Sequence, residues 1–89
     1  MNTYKKTAKI IKALANERRL RILSFLKSHK SRSVTAISGH IRLSLRSTSK
    51  HIGVLYAAGI LEKQQTSTNV FCKIPSDIPP IARRIIDLL

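Results

Sequence analysis

Ser44-Leu45-Arg46-Ser47-Thr48-Ser49-Lys50-His51-Ile52 gathers a guanidinium, an ammonium, an imidazole and four hydroxyls within nine residues. This set suits recognition rather than bond making. Arg pairs bidentately with guanine, hydroxyls read several base edges, and Lys anchors phosphate. Ser44 is a good helix cap, and the free amides behind it form a phosphate site at the positive helix end. With Leu45 as origin and 100° per residue, Leu45, Thr48, Ile52, Leu55 and Gly59 fall in a sector about 80° wide. Arg46, Ser47, Lys50 and Val54 lie opposite, with Ser49 and His51 on the flanks. Taken alone, such a stretch also suits a solvated basic face, so the surrounding elements decide its meaning.

Those elements follow from periodicity and punctuation. Tyr4, Ala8, Ile11 and Ala15 recur as one stripe, flanked by Ile10 and Leu14, and predict an amphipathic helix over about 3–14 with Lys5, Lys9 and Lys12 on another face. Asn16 caps a second helix that carries Leu20, Ile22, Leu23, Phe25 and Leu26 to about Lys27. Residues 28–32 read as a polar, basic loop. Ser33 caps a short third helix with Val34, Ile37 and Ile41 on one side; Arg42 and Leu43 form a turn. The fourth helix then runs from Ser44 to about Ala58, where Gly59 is a C-terminal stop. Residues 60–66 and 70–74 are strand-like around Ser67-Thr68-Asn69, a hairpin. Pro80 opens a last helix over about 80–89, with a stripe of Ile81, Ile85 and Leu88 that Ile86 and Leu89 broaden. A short helix, a tight turn and a capped second helix make a helix-turn-helix, whose second helix places its N-terminal residues against base edges in the major groove.

Charge and composition agree with a polyanionic partner. Seventeen Lys and Arg against four Asp and Glu give a formal net charge of +13 on 89 residues, which favours DNA, RNA or an anionic surface. A chain of this length buries only roughly 60–65% of its unfolded surface, so dimerisation would recover useful area. The single cysteine, Cys72, excludes an internal disulfide and fits a reducing compartment. No apolar run is long enough for a membrane span, and the opening residues lack the apolar core of a secretory signal. The expected location is the cytoplasm, on the nucleoid.

Three segments resemble the ArsR-type winged-helix repressors. Ala13-Leu14-Ala15-Asn16-Glu17-Arg18-Arg19-Leu20-Arg21-Ile22-Leu23 is similar to the family's opening pattern. Leu43-Ser44 through His51-Ile52-Gly53-Val54-Leu55 is similar to its recognition-helix pattern, and Ala58-Gly59-Ile60-Leu61 to its wing start. The resemblance covers about residues 11–74. It implies a mostly α winged helix-turn-helix domain with a β-hairpin wing, in the order of four helices, hairpin and helix, filling residues 1–89. It also implies a homodimer joined by the terminal helices, about 3–14 and 80–89, bound to double-stranded DNA. Carried over by position, Ser44, Arg46, Ser47, Ser49, Lys50 and His51 become DNA contacts. Arg42 joins them from the turn, and Lys63, Gln64, Gln65, Thr68 and Asn69 supply the wing's polar groups.

The departures bear on cofactors. Where the family often carries a Cys-x-Cys metal box, this chain has Val34-Thr35-Ala36-Ile37-Ser38, without a soft-metal ligand. Residues 77–89 offer Asp77 and Asp87 but no His, so neither a metal nor a cofactor is expected. Arg42 stands where the turn usually has Gly, and the wing tip lacks the usual basic and Gly character. His29, His40 and His51 lack ligand spacing, and Cys72 reads as a small packing residue. Four carboxylates, no Gly-rich phosphate loop and no paired nucleophile argue against an enzyme. The expected function is a sequence-specific homodimeric repressor on a pseudo-palindromic operator. The alternative is a sequence-indifferent architectural or RNA-binding protein, which the scarcity of aromatic residues for base stacking disfavours.

Overall fold

The computed structural model describes residues 3–89. Five helices and three short strands follow in the order α1 (Thr3–Leu14), α2 (Glu17–Lys27), β1 (Arg32–Ser33), α3 (Val34–Ile41), α4 (Leu45–Ala57), β2 (Glu62–Gln65), β3 (Val70–Lys73) and α5 (Pro80–Leu88). This is a winged helix-turn-helix domain. The caps fall where the side chains allow them. Asn16 accepts from the Arg19 amide at 3.2 Å, Ser33 from Ala36 at 3.1 Å and Ser44 from Ser47 at 3.1 Å. Each satisfies one of the amides a helix start leaves open, an effect of about 1 kcal/mol. Pro80 occupies the first turn of α5, where its missing N–H has no cost.

The core gathers one face from every helix: Leu14 of α1, Ile22, Leu23 and Leu26 of α2, Ile37 and Ile41 of α3, Ile52 and Leu55 of α4, and Ala82 and Ile86 of α5. Full burial of each branched side chain contributes about 1.5–3 kcal/mol. Cys72 lies inside this core, as a packing residue would. β3 is the central strand of an antiparallel sheet in the order β1-β3-β2. Glu62 to Gln65 oppose Lys73 to Val70, and Arg32 and Ser33 oppose Cys72 and Phe71.

One of these readings needs correction, and the terminal helices show how their apolar residues divide. Residues 28–32 are not loop throughout, because Arg32 and Ser33 pair with β3 as its second neighbour; two residues are too short for an alternating pattern to announce a strand. The apolar stripe read along α1 is on the outside of the protomer: Tyr4 is 88% exposed, and Ala8, Ile11 and Ala15 are exposed with it. Ile10, Ala13 and Leu14 face the core instead. The α5 stripe divides: Leu88 is 82% exposed, Ile81 and Ile85 are half-buried, and Ile86 is buried together with Ala82. Both helices are apolar on two sides, and a single protomer covers only one.

Two residues take positive φ, Gly59 at 77° after α4 and Arg42 at 57° between α3 and α4. Arg42 closes α3 in the left-handed conformation, and its amide and that of Leu43 both bond the Ser38 carbonyl. A side chain in this region costs about 1–2 kcal/mol, and Gly would avoid that cost. The tight turn expected from sequence is thus made without the residue best suited to it.

Candidate nucleic-acid interface

α4 sets Thr48, Ile52 and Leu55 into the core and leaves Ser44, Arg46, Ser49 and Lys50 exposed at its N-terminal end. Ser47 is half-buried, so Ser49 has the freer hydroxyl of the two. Leu45 departs from the sequence reading: it was expected on the core side and is 53% exposed. It leaves an apolar side chain half-exposed beside Arg46. Arg42 is exposed at the turn ahead of this helix start.

His51 is half-buried and committed. Its Nδ1 lies 3.2 Å from Arg19 Nη1. A guanidinium can only donate, so Nδ1 accepts and the ring proton sits on Nε2. Burial, with the charges of Arg19 and Arg18 behind it, holds the imidazole below its ordinary value of 6.5. Arg19 also donates from Nε to the Ala13 carbonyl at 2.6 Å and from Nη2 to the Lys12 carbonyl at 3.1 Å. One side chain of α2 therefore ties the C-terminal end of α1 to α4. Sequence reasoning placed Arg19 only inside a family pattern; nothing in its spacing announced this role.

The wing stands beside the helix. All of β2 is exposed, Lys63 and Gln65 included. Lys63 Nζ sits 4.4 Å from the Tyr56 ring centroid, a cation–π contact that holds the base of the wing against the end of α4. At the tip, the Thr66 amide donates to the Asn69 carbonyl at 2.8 Å, and Asn69 Nδ2 donates to Thr68 Oγ1 at 3.2 Å. Thr68 and Asn69 thus spend part of their polar capacity closing the turn, which Thr66 organises. Gln64 and Gln65 oppose Phe71 and Val70. Glu62 and Lys73 form an exposed cross-strand ion pair at 3.6 Å, worth little in water.

The other histidines are brought together away from His51. His40 stacks on Phe25 at 4.0 Å between centroids, and His29 lies 4.5 Å from the same ring. His29 Nδ1 is 2.6 Å from the Phe25 carbonyl, so that nitrogen carries the proton. Among the described residues, no group of three His, Cys, Asp or Glu side chains is arranged to hold a metal. Burial raises the Cys72 thiol above its usual range, against a smaller opposite pull from Lys63.

A family model described as a helix-turn-helix domain matches residues 14–64, more than half of the chain. An uncharacterized HTH-type transcriptional regulator of Methanocaldococcus jannaschii is 30% identical over the full length of both chains. The chain belongs to the ArsR-type helix-turn-helix regulators. Among solved structures, reduced HlyU from Vibrio cholerae is 30% identical, with a TM-score of 0.80 over 97% of this regulator and 86% of that chain. The homodimeric winged helix-turn-helix DNA-binding domain of a possible ArsR-family regulator from Mycobacterium bovis is 29% identical. Its TM-score is 0.80, over 96% of this regulator and 75% of that chain. Family and fold are those of transcription regulators, not of enzymes. Among the described residues, no helix of this regulator is long and apolar enough to cross a membrane.

Proposed function

We propose that this regulator is a homodimeric, sequence-specific repressor that binds a pseudo-palindromic operator through the N-terminal half of α4. The observation that carries the reading is the exposed start of α4. There Arg46, Ser49 and Lys50 surround a Ser44-capped helix end whose opposite side is locked into the core. In this reading Arg46 pairs with guanine, while Leu45, Ser47 and Ser49 read neighbouring edges and Lys50 and Arg42 hold phosphate. His51 presents only its Nε2–H, and Lys63, Gln65 and Thr68 extend the contact from the wing. Dimerisation through α1 and α5 is supported by the apolar stripes that one protomer leaves uncovered, Tyr4, Ile11 and Leu88 foremost. The structural relative from Mycobacterium bovis is described as homodimeric, which supports dimerisation without bearing on the helices that form the interface. Two-fold symmetry then sets half-sites one helical turn apart, roughly 10 bp.

Duplex fragments recovered with the protein from cells, titrated against bulk DNA and RNA at several salt concentrations, test this reading. Specific fragments should bind at least on the order of 1,000-fold more tightly than bulk DNA and share a two-fold symmetric core. A ratio near one, falling steeply with salt for every nucleic acid alike, would mean a sequence-indifferent binder instead.

A further inference from the structure

α1 and the C-terminal half of α4 enclose an open groove of about 890 Å³, within the size range of small-molecule sites. Its floor is apolar, made of Ala8, Ala13, Val54, Ala57 and Ala58, and its walls carry Lys6, Lys9, Lys12 and Arg19. None of the chain's four carboxylates lines it. The groove shares Ala8 with the exposed Tyr4–Ile11 stripe of α1, and its cations Lys12 and Lys9 lie farther round the helix, about 80° and 140° from Tyr4. It also lies at the opposite end of α4 from Arg46, so a duplex on the helix start does not fill it. A second copy of so basic a chain would bring mostly like charge to this wall.

From the apolar floor and cationic wall we infer that this groove binds a long-chain carboxylate, an anionic amphiphile whose chain lies on the Ala13–Val54–Ala57 floor and whose acid group meets Lys9, Lys12 and Arg19. Burying the chain supplies the hydrophobic gain, and the cations fix its direction. Arg19 uses three of its five N–H groups on Lys12, Ala13 and His51, which leaves two for the carboxylate. The same guanidinium is the link to His51 on α4. A carboxylate bound to those two N–H groups pulls the guanidinium toward the groove wall, which lengthens the Nη1 contact to His51 Nδ1 and loosens the hold on the helix. The site is thereby placed to regulate the DNA binding proposed above, on which this consequence rests.

The test uses hexadecanoate below its micelle concentration, with hexadecyltrimethylammonium as the chain-matched cation and acetate as the chainless acid. Binding to the full chain is followed calorimetrically without DNA. Hexadecanoate should bind saturably at one site per chain, and the other two should bind at least tenfold more weakly. Val54→Glu, on the half-open floor, and the pair Lys9→Glu and Lys12→Glu should each weaken it at least tenfold with circular dichroism unchanged. Equal binding of the cation, or hexadecanoate binding that neither variant alters, overturns the proposal. So does conversion of a dimer to a monomer by the lysine reversals, which would make the groove an interface between copies. Operator titrations without fatty acid check the DNA reading separately. With saturating hexadecanoate, operator affinity should fall at least fivefold; an unchanged affinity overturns the regulatory role alone.

Discussion

α1 and α4 are both amphipathic and both strongly basic, yet they end in different surroundings. The cations of α4 cluster around a capped, solvent-facing helix start, where amides, hydroxyls and a guanidinium converge. Those of α1 spread along a side wall above an apolar groove, while a second apolar stripe remains bare. The same charge therefore has different meanings. In the proposed reading, charge on α4 adds to directional donors that choose a sequence, while charge on α1 attracts anions without discriminating among bases.

The sharpest way to break this comparison is to attack the bare side of α1. Ile11→Asp should leave the protomer folded, since Ile11 is outside the core, and should turn a dimer into a monomer by analytical ultracentrifugation. Operator affinity should then fall about 100-fold or more through loss of the linked second half-site. A monomeric wild type would overturn the assignment. Next, Arg46→Ala should cost about 1–3 kcal/mol and relax preference at one base pair, whereas Lys50→Ala should weaken all DNA alike and lower the salt slope by about one, and Lys9→Ala should leave that slope nearly unchanged. If Arg46→Ala and Lys50→Ala both keep the ratio of operator to random DNA, Arg46 is not a base reader.

Two changes at the helix-turn-helix sharpen what holds α4 in place. Thr48 is fully buried beneath it, and its Oγ1 has no hydrogen-bond partner. Thr48→Val should therefore stabilise the fold by about 1 kcal/mol in urea unfolding, by removing an unsatisfied hydroxyl. Arg42→Gly should stabilise it by about 0.5–1 kcal/mol, the relief of positive φ less the entropy Gly adds to the unfolded chain. That gain should come with weaker DNA binding if Arg42 holds phosphate.

The smallest effect concerns pH. The depressed pKa of His51 means the unfolded chain binds its proton more readily. Stability from this site is then complete above about 6.5, falls as pH drops below it, and levels off beneath the folded value. His51→Gln should flatten that part of the stability curve. Because the ring is half exposed, the change is modest, and a curve identical in both proteins would remove the Arg19–His51 contact from the account.

Much of this organisation was legible in the residues. Asn16, Ser33, Ser44, Gly59 and Pro80 announced element ends because capping and positive φ are local demands met by particular side chains. The buried side of α4 was legible from Thr48 to Leu55 for the same reason: periodicity is a property of one helix. Leu45 departed from that rule, at 53% exposure, because burial depends on what packs against a helix and not on its periodicity alone. The β1 strand, the Phe25–His40 stack and the Arg19 bridge join distant parts of the chain, and no local pattern encodes such meetings.

The nine residues from Ser44 were marked by sequence as a helix start rich in donors, and the capping geometry agrees. Only the tertiary structure decided which of them are free. It left Arg46, Ser49 and Lys50 in solvent, half-covered Ser47, and gave one nitrogen of His51 to Arg19. Sequence also determined that α1 and α5 each have more apolar surface than one neighbour can cover. Packing decided which side went inward, because the core accepts the side chains that fill it and the remaining stripe faces outward.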